Sequence, residues 1–479
     1  MRESREKLHV SMTFDLRFAQ GRRLAGLAVV ITCVLQHSDA GAAPAVTAVA
    51  AGSGHSLFIR SDGSLWGMGA NFDGELGLGS NVITTNQPTL IVSNGVGGVA
   101  AGLAHTLFRM GTSLWVMGGN DDGQLGDGST TYHYVPEKIF TGSGGTSISL
   151  IGTGSGAVHS LFATSGLIGG STALRGMGNN PNGELGDGTY TNHLMPETIQ
   201  TGGMLSAAMG QEHSLFVKSD GSLWAMGDDE EDQLGVFFGF QQNTNRPVEV
   251  VSNNVTTVAA GYFHSLFIKS DGSLWAAGLN DSGQLGDNST GEAPFPVEIV
   301  TNGVTTIAAG AEHSVFIRSD RCLWGMGDNT YGQLGGGFAV GYHVPTPIAS
   351  NVVAVAAGDY YTLFVKTDGS LWGMGKDNFG QLGDGGSSNR LTTFEILAGP
   401  QPVITGVSVS GTNLNLTGFN GVSGETLVTL MSSNVTQALI QWQPVATNLL
   451  NVTGNWTITA TNAVDPASSA HRFYILKAQ

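Results

Sequence analysis

The sequence is poor in charge, and positive charge is its scarcest component. Only 12% of the 479 residues are charged, and 20 Lys and Arg stand against 37 Asp and Glu, which gives a formal net charge of −17. Nucleic-acid binding requires clustered Lys and Arg to neutralise phosphates, and no basic run follows the N-terminal segment. The composition therefore argues against DNA or RNA as a partner.

Cysteine is nearly absent, with Cys33 and Cys322 as its two instances. Cys33 lies in an N-terminal segment that we expect to be removed, which leaves Cys322 without an intramolecular partner. A disulfide bond within the mature chain is thereby excluded. Packing and hydrogen bonds must hold the fold together.

The apolar stretch over residues 24–35 has about 12 residues and is too short to span a bilayer. It follows Arg17, Arg22 and Arg23 and precedes small residues at 40–43, which is the three-part arrangement of a signal peptide. We expect a signal peptide over residues 1–43, so that the mature protein is secreted or lies at the cell surface without membrane insertion. An uncleaved anchor or a buried helix is the alternative.

Glycine, by contrast, is abundant: 72 Gly without a three-residue period indicate many tight turns. The turns belong to a motif of about 50 residues that occurs seven times in a row. The motif reads V-x-x-V-A-A-G-x-x-H-S-L-F-I-K-S-D-G-S-L-W-x-M-G and is followed by G-Q-L-G. The position of its His holds His55, His105, His159, His213, His264, His313 and Tyr361.

Each copy contains four short stretches of β character. In the fifth copy they are residues 255–259, 264–268, 273–277 and 296–300. Asp-Gly between the second and third stretches favours a two-residue type I′ hairpin, and Arg321 in place of this Gly predicts strain or another turn type in the sixth copy. Seven four-stranded sheets can bury their faces by stacking around an axis. The prediction is an all-β fold with a seven-bladed β-propeller over residues 44–399.

The ordered motifs G-x-x-H, D-G-S-L-W and G-Q-L-G resemble those of the regulator-of-chromosome-condensation repeat family over residues 45–398. The resemblance implies a seven-bladed propeller with surfaces for protein–protein interaction. Eukaryotic members that gave the family its name promote nucleotide exchange on a small GTPase, but the export signal and the acidic balance argue against that activity here. Some secreted bacterial relatives inhibit enzymes as protein ligands, and the sequence fits this secreted bacterial type better.

The motif ends near residue 400, and alternating stretches separated by Gly, Asn and Ser continue to the C-terminus. This pattern predicts a small β-sandwich over residues 400–479. It resembles C-terminal modules of secreted bacterial proteins with tandem repeats. A spacer, a sorting signal and a carbohydrate contact remain open as its role.

Residues that recur in every copy are expected to belong to the scaffold. The six motif His lie in different blades and cannot converge on one metal, so we expect them to satisfy backbone groups at strand starts. The motif Trp residues are expected to pack between blades. Gly-Asp pairs such as Gly383-Asp384 suit calcium, although turn chemistry explains them as well. No nucleophile motif occurs, and we predict no catalytic residue, no metal and no cofactor.

Positions at which the copies differ are free to recognise a partner. The pair before each motif His is such a position, and in the fifth and seventh copies it is aromatic or acidic. Aromatic side chains beside carboxylates are typical of protein-binding hot spots. We predict a binding surface formed by Tyr262, Phe263, Asp359, Tyr360 and Tyr361, with padding of the channel mouth as the structural alternative.

The fourth copy carries an unusual insert. An acidic run over residues 228–232 precedes Phe237, Phe238 and Phe240. The run is expected to be solvated, and the three Phe are predicted as a second partner contact unless they tuck under their own loop.

Taken together, the sequence predicts an exported monomeric scaffold that uses one propeller face to bind an unidentified protein or a glycan, without catalysis. The alternative is an enzyme that acts on polysaccharide with paired carboxylates at the central channel. Guanine-nucleotide exchange by family analogy is a second alternative.

Overall fold

The computed structural model describes residues 10–15, 30–35, 44–142, 146–166, 172–236 and 243–400, and six strands nearer the C-terminus. Two compact units are present, one over Ala45–Ala398 and one that combines Met1–Pro44 with Gly399–Gln479. In the described part of the chain, no helix is long and apolar enough to cross a membrane.

The unit Ala45–Ala398 consists of seven four-stranded antiparallel sheets, numbered here as blades 1 to 7 in chain order. The first strands are Val46–Ala51, Val96–Ala101, Thr146–Gly152, Met204–Met209, Val255–Ala260, Val304–Ala309 and Val352–Ala357. The second strands are His55–Arg60, His105–Met110, His159–Gly166, His213–Lys218, His264–Lys269, His313–Arg318 and Tyr361–Lys366. The third strands are Leu65–Ala70, Ser113–Gly118, Ala173–Gly178, Leu223–Asp228, Leu274–Gly278, Leu323–Gly327 and Leu371–Gly375. The fourth strands are Thr84–Val92, His133–Thr141, His193–Thr201, Asn243–Val251, Ala293–Val300, Tyr342–Ala349 and Arg390–Leu397.

Every blade is made of four consecutive strands from a single sequence copy. The predicted seven-bladed β-propeller is confirmed. Blade 7 ends with its own fourth strand and blade 1 begins with its own first strand, so no strand is exchanged across the closing seam. The ring closes by packing of one complete sheet against another.

The hairpin between the second and third strands differs from the predicted type I′ turn. In blade 1, Gly63 N–H donates to the Arg60 carbonyl at 2.9 Å, and Arg60 N–H donates to the Ser64 carbonyl at 3.0 Å. Gly63 has φ +77°, whereas Asp62 does not have a positive φ. This is a three-residue loop with Gly at a bulge position. The Asp62 carboxylate accepts the Ser64 N–H at 2.9 Å, and the Ser64 hydroxyl accepts Trp66 Nε1–H at 2.8 Å.

The hydrophobic core lies between adjacent blades. Leu266 and Leu274 of blade 5 pack with Phe316 and Met326 of blade 6, and Trp324 covers this cluster. The indole also stacks on Phe316 of its own blade, with ring centroids 6.3 Å apart. The expectation that the motif Trp packs between blades is therefore met at this interface.

The closing seam has the same kind of core as the others. Leu363, Leu371 and Leu382 of blade 7 pack with Phe58 and Met68 of blade 1. Because the last interface repeats the chemistry of the internal ones, burial of apolar surface favours ring closure over an open stack.

Among its described residues, the second unit has two three-stranded antiparallel sheets. One is formed by Val403–Ser410, Asn413–Gly421 and Gly454–Ala460, and the other by Thr426–Ser432, Gln443–Leu449 and Phe473–Ala478. Val10–Asp15 pairs antiparallel with Val30–Leu35. The strands agree with a β-rich tail, and their assembly into a sandwich stays a prediction.

Candidate recognition face

Two sets of loops lie at the same edge of every blade, because strands alternate in direction. One set precedes the motif His or Tyr and the other precedes the G-Q-L-G block. Contacts between blades join the two sets: Asn182 Nδ2 donates to the Glu212 carboxylate at 2.8 Å, and Ser282 Oγ donates to Glu312 at 3.0 Å. We call the surface formed by these two sets the loop face.

The motif histidines lie below this face and link neighbouring blades. His55 Nε2 contacts the Thr106 hydroxyl of the next blade at 3.0 Å, and that hydroxyl donates to the Glu75 carbonyl at 2.8 Å. The hydroxyl proton is thereby used, so the ring nitrogen must donate to the hydroxyl oxygen. Equivalent contacts join His105 to Ser160, His159 to Ser214, His213 to Ser265, His264 to Ser314 and His313 to Thr362.

These bonds correct one expectation and support another. The partner of each His is a side-chain hydroxyl of the next blade and not a backbone group at a strand start. The histidines are nonetheless scaffold, since all six are fully buried. Burial lowers the pKa of His55 to about 3 and that of His313 to about 4, which keeps both rings neutral. A neutral ring that is shut off from solvent is not available for acid–base chemistry.

Tyr361 was predicted as a binding residue, and the structure places it in the scaffold instead. Its side chain is 0% exposed. The hydroxyl donates to the His55 carbonyl at 2.5 Å and accepts from Ser56 Oγ at 3.1 Å. Tyr361 occupies the motif His position of blade 7, and its longer side chain makes the seventh interblade link. The prediction was wrong for this residue because the repeat position determines its burial.

Asp359 is also buried, with 6% of its surface exposed. Its carboxylate accepts a hydrogen bond from Ser53 Oγ of blade 1. Desolvation raises the pKa of Asp359, and hydrogen bonds from Ser53, Tyr262 and Ser155 oppose that rise. Groups from blades 1, 3, 5 and 7 thus converge on one carboxylate. Asp359 therefore links several blades beneath the loop face, and its buried carboxylate is not accessible to a partner.

Tyr262, Phe263 and Tyr360 remain on the loop face and are partly exposed. Tyr262 and Phe263 meet edge to face, with centroids 6.2 Å apart. Tyr360 lies 5.3 Å from the ring of Tyr331, and Lys376 Nζ lies 5.2 Å from the Tyr360 centroid and 5.3 Å from that of Tyr331. Desolvation and nearby carboxylates raise the pKa of Tyr360 to about 12. The two phenols and the ammonium group form one compact cluster.

A second aromatic pair was missed by the sequence reasoning. Phe72 of blade 1 and Phe379 of blade 7 meet at 5.5 Å in a T-shaped arrangement. They are 48% and 39% exposed. Phe72, Tyr331 and Phe379 all lie in the variable residues before the G-Q-L-G block. Comparison of the copies at that position, as was done for the pair before His, is the signal that could have found them.

The loop face also carries acidic side chains, and Asp73 adjoins Phe72. Burial and then the Asp121 carboxylate raise the pKa of Asp73. Burial and then Glu292 raise the pKa of Glu231. These neighbouring carboxylates give this part of the loop face a negative potential.

The acidic run of blade 4 is only partly solvated. Asp228 and Asp229 are 4% and 6% exposed, which contradicts the expected solvation of this part of the run. Phe237, Phe238 and Phe240 lie outside the described residues, so their predicted partner contact stays a prediction.

Outside the motif, His133 and His193 bind carboxylates. His133 Nε2 lies 2.7 Å from Asp127 Oδ2, and His193 Nε2 lies 2.6 Å from Asp187 Oδ2. Within the described residues, no group of three or more His, Cys, Asp or Glu side chains is arranged to hold a metal ion.

Solved structures share this fold. A crystal structure of human WBSCR16 matches with a TM-score of 0.61 and 23% identity, over 71% of this chain and 96% of that one. Prp20p from Saccharomyces cerevisiae matches with a TM-score of 0.56 and 21% identity, over 65% of this chain and 80% of that one. These likenesses establish the fold.

Among curated proteins, the chain is 29% identical to the ultraviolet-B receptor UVR8 of Arabidopsis thaliana over 247 residues, which are 50% of this chain and 54% of UVR8. It is 32% identical to human protein RCC2 over 154 residues, 31% of this chain and 28% of RCC2. The E3 ubiquitin-protein ligase HERC2 of Homo sapiens is 27% identical over 51% of this chain and 5% of HERC2. The chain thus spans about half or less of these relatives.

Family models match along the propeller. Regulator of chromosome condensation (RCC1) repeats match residues 46–75 and 62–109. An RCC1-like domain matches residues 155–424, which is more than half of the chain. With seven blades that each carry the repeat, the chain belongs to the RCC1-like domain family.

Proposed function

We propose that this protein is an exported, non-catalytic scaffold that binds another protein through the loop face. The observation that carries the proposal is a set of aromatic side chains on the loop face, of which Phe72 and Phe379 are exposed and Tyr331 and Tyr360 are partly exposed. Rings held against one another lose little side-chain entropy on binding, which makes them efficient anchors. Their position at variable points of an otherwise repeated scaffold supports a recognition role.

Relatives give independent support for a protein partner. The structure of Prp20p is described together with binding to Gsp1p and histones, and another structure contains yeast RCC1 bound to Kap60. These partners belong to those proteins. They support protein binding as a general use of this propeller.

The N-terminal pattern supports export, because basic residues, a short apolar stretch and small residues follow one another there. The buried neutral histidines and the hydroxyl-bound Asp359 support the absence of catalysis in the ring. A glycan ligand remains an outcome of the experiment below.

The experiment compares capture of extracellular and surface proteins by the full-length chain and by single variants. Tyr360→Ala and Phe379→Ala are expected to weaken binding of the captured protein by tenfold or more, the loss typical of a hot spot. Phe295→Ala is the matched control, because Phe295 is an exposed aromatic of 58% exposure on a fourth strand.

Equal binding by all four proteins would contradict the assignment of the loop face. If the chain is retained on carbohydrate columns but captures no protein, the ligand of the loop face would instead be a glycan. Thermal unfolding of each variant establishes that the substitutions leave the fold intact.

A further inference from the structure

An Asn follows the third strand in five blades and fills a pocket of oxygen atoms. In blade 5, Asn280 Oδ1 accepts the Leu285 N–H at 3.0 Å. Its Nδ2 donates to Asp287 Oδ1 at 3.0 Å and to the carbonyls of Ser289 at 3.3 Å and Gly291 at 3.1 Å. The two hydrogens of the amide nitrogen are therefore shared among these oxygens and the Ser289 hydroxyl, which lies at 3.1 Å. The equivalent residues are Asn71, Asn120, Asn180 and Asn329.

Blade 7 has Asp377 at this position. Its Oδ1 accepts the Leu382 N–H at 2.8 Å, as the Asn oxygen does in the other blades. Its own N–H donates to Asn389 Oδ1 at 3.1 Å, as Asn180 N–H does to Asn192 Oδ1 at 3.0 Å. The Asp377 side chain is therefore seated as the Asn side chains are.

The loop after the block also keeps its conformation in blade 7. Gly386 N–H donates to Asp384 Oδ1 at 2.7 Å, as Ser289 N–H does to Asp287 Oδ1 at 2.9 Å. In this register, residues 386 and 388 correspond to residues 289 and 291, whose carbonyls accept from Asn280 in blade 5.

The exchange of Asn for Asp removes the side-chain amide donor from the pocket. Asp377 is 0% exposed, and its Oδ2 has no hydrogen-bond partner. The carboxylate of Asp384 lies against it and contributes to raising its pKa, after burial as the main cause. Two carboxyl groups thus lie against each other in this pocket, and no amide donor stands between them.

We propose that this pocket in blade 7 binds a calcium ion through Asp377, Asp384 and the main-chain carbonyls of Gly386 and Ser388. Calcium accepts carboxylate and carbonyl oxygens in irregular geometry and completes its shell with water. Magnesium requires a near-ideal octahedron and holds its waters, so the pocket disfavours it.

Arg390 is compatible with this assignment. Its Nε donates to Asp384 Oδ2 at 2.6 Å, and the pocket faces the other oxygen, Oδ1. The same division occurs in blade 2, where His133 binds Asp127 Oδ2 while Asn120 donates to Asp127 Oδ1. Arg390 therefore replaces a His and leaves the inner oxygen free to coordinate.

The other described pockets lack this combination. Blades 1, 2, 3, 5 and 6 keep the Asn donor, and blades 1 and 6 also have Leu78 and Gly336 where blade 7 has Asp384. Blade 4 has Asp229 in place of the Asn, but its following loop lies partly outside the described residues. The variant Asp229→Asn is therefore compared with Asp377→Asn in the test.

The test measures thermal unfolding and calcium binding of the full chain after treatment with EDTA. Calcium chloride is expected to raise the midpoint by a few degrees, and magnesium chloride at equal concentration is not. Asp377→Asn is expected to lose the calcium response while unfolding in EDTA at or above the native midpoint. Asn280→Asp is expected to bind one more calcium per chain in equilibrium dialysis.

Three results would overturn the proposal. The first is that calcium does not change the unfolding midpoint and that Asp377→Asn has a higher midpoint than the native chain. That result would mean that Asp377 is protonated and binds no cation. The second is a calcium response that persists in Asp377→Asn, and the third is a response lost in Asp229→Asn instead. Asp287→Asn is the control, since it changes an equivalent carboxylate in a pocket that keeps its Asn.

Discussion

Single residues that leave the repeat consensus carry a conformational cost in this propeller. Arg321 has φ +64° at the hairpin position where other blades have Gly, and Asp232 has φ +59° at the first position of the G-Q-L-G block. The hairpin of blade 6 keeps its bonds, with Arg321 N–H donating to the Arg318 carbonyl at 2.8 Å. The turn type is thus retained, and the chain accepts strain in place of another turn.

We predict that Arg321→Gly stabilises the protein by about 1 kcal/mol, because a residue with a Cβ is strained in the left-handed region. The midpoint of urea unfolding measures this change. The reverse substitution, Gly272→Arg, changes the equivalent position of blade 5, where Gly272 has φ +81°. It should destabilise by at least as much. A lower midpoint for Arg321→Gly would show that the Arg side chain stabilises the turn in a way that outweighs its strain.

At the scale of elements, the seams between blades depend on a few buried side-chain hydrogen bonds. We predict that Tyr361→Phe destabilises the protein by about 1 kcal/mol, because its hydrogen bonds with the Ser56 hydroxyl and the His55 carbonyl across the closing seam are lost. Both groups keep one other partner, the Gln381 carbonyl and the Gly52 N–H. Tyr360→Phe is the matched control. Tyr360 is the adjacent residue on the partly exposed loop face, and its change should lie within experimental error of zero. Equal losses of unfolding free energy in the two variants would show that the Tyr361 hydrogen bonds do not stabilise the closing seam.

The sequence predicted elements better than the contacts between them. A repeat seen seven times determines strand number and order, since each copy must fold alike. The turn type of the hairpin was predicted wrongly because a Gly at position 63 suits both turn types, which differ in the conformation of Asp62. The partner of His55 was missed because it lies in the next copy, although the Ser or Thr after each motif His was already in the motif. Tyr331 was missed because only one of two variable positions was compared.

At the scale of the whole molecule, seven similar seams make the ring one cooperative unit. The closing seam has an outer contact like the others: Gly385 N–H of blade 7 donates to the Asn86 carbonyl of blade 1 at 2.8 Å, as Gly128 N–H does to the Leu194 carbonyl at 2.8 Å. A ring of this kind has no free end from which unfolding can begin. Protonation of any buried seam group should therefore act on the stability of the entire propeller.

Two sets of buried groups give this stability opposite dependences on pH. The six motif His have folded pKa values lowered to about 3 or 4 from 6.5, mainly by burial. The unfolded chain binds the extra protons, so the free energy of unfolding falls as pH drops below 6.5. Burial raises the pKa of Glu75, Glu184, Asp229 and Asp377 to about 7. For these carboxyl groups the folded chain binds the extra protons, so the free energy of unfolding falls as pH rises from about 4.5 towards 7.

We predict maximal stability near pH 6.5, a gentle decline to about pH 4.5 where the two sets oppose each other, and a steep decline below it. Urea unfolding at pH 6.5, 5.5, 4.5 and 4.0 measures the profile. The variant Glu75→Gln with Glu184→Gln introduces the Gln found at Gln124 and Gln284 in other blades. Its decline between pH 6.5 and 4.5 should be steeper by about 1.4 kcal/mol per pH unit for each Glu removed. An unchanged slope would mean that these two carboxyl groups are already ionised in the folded ring.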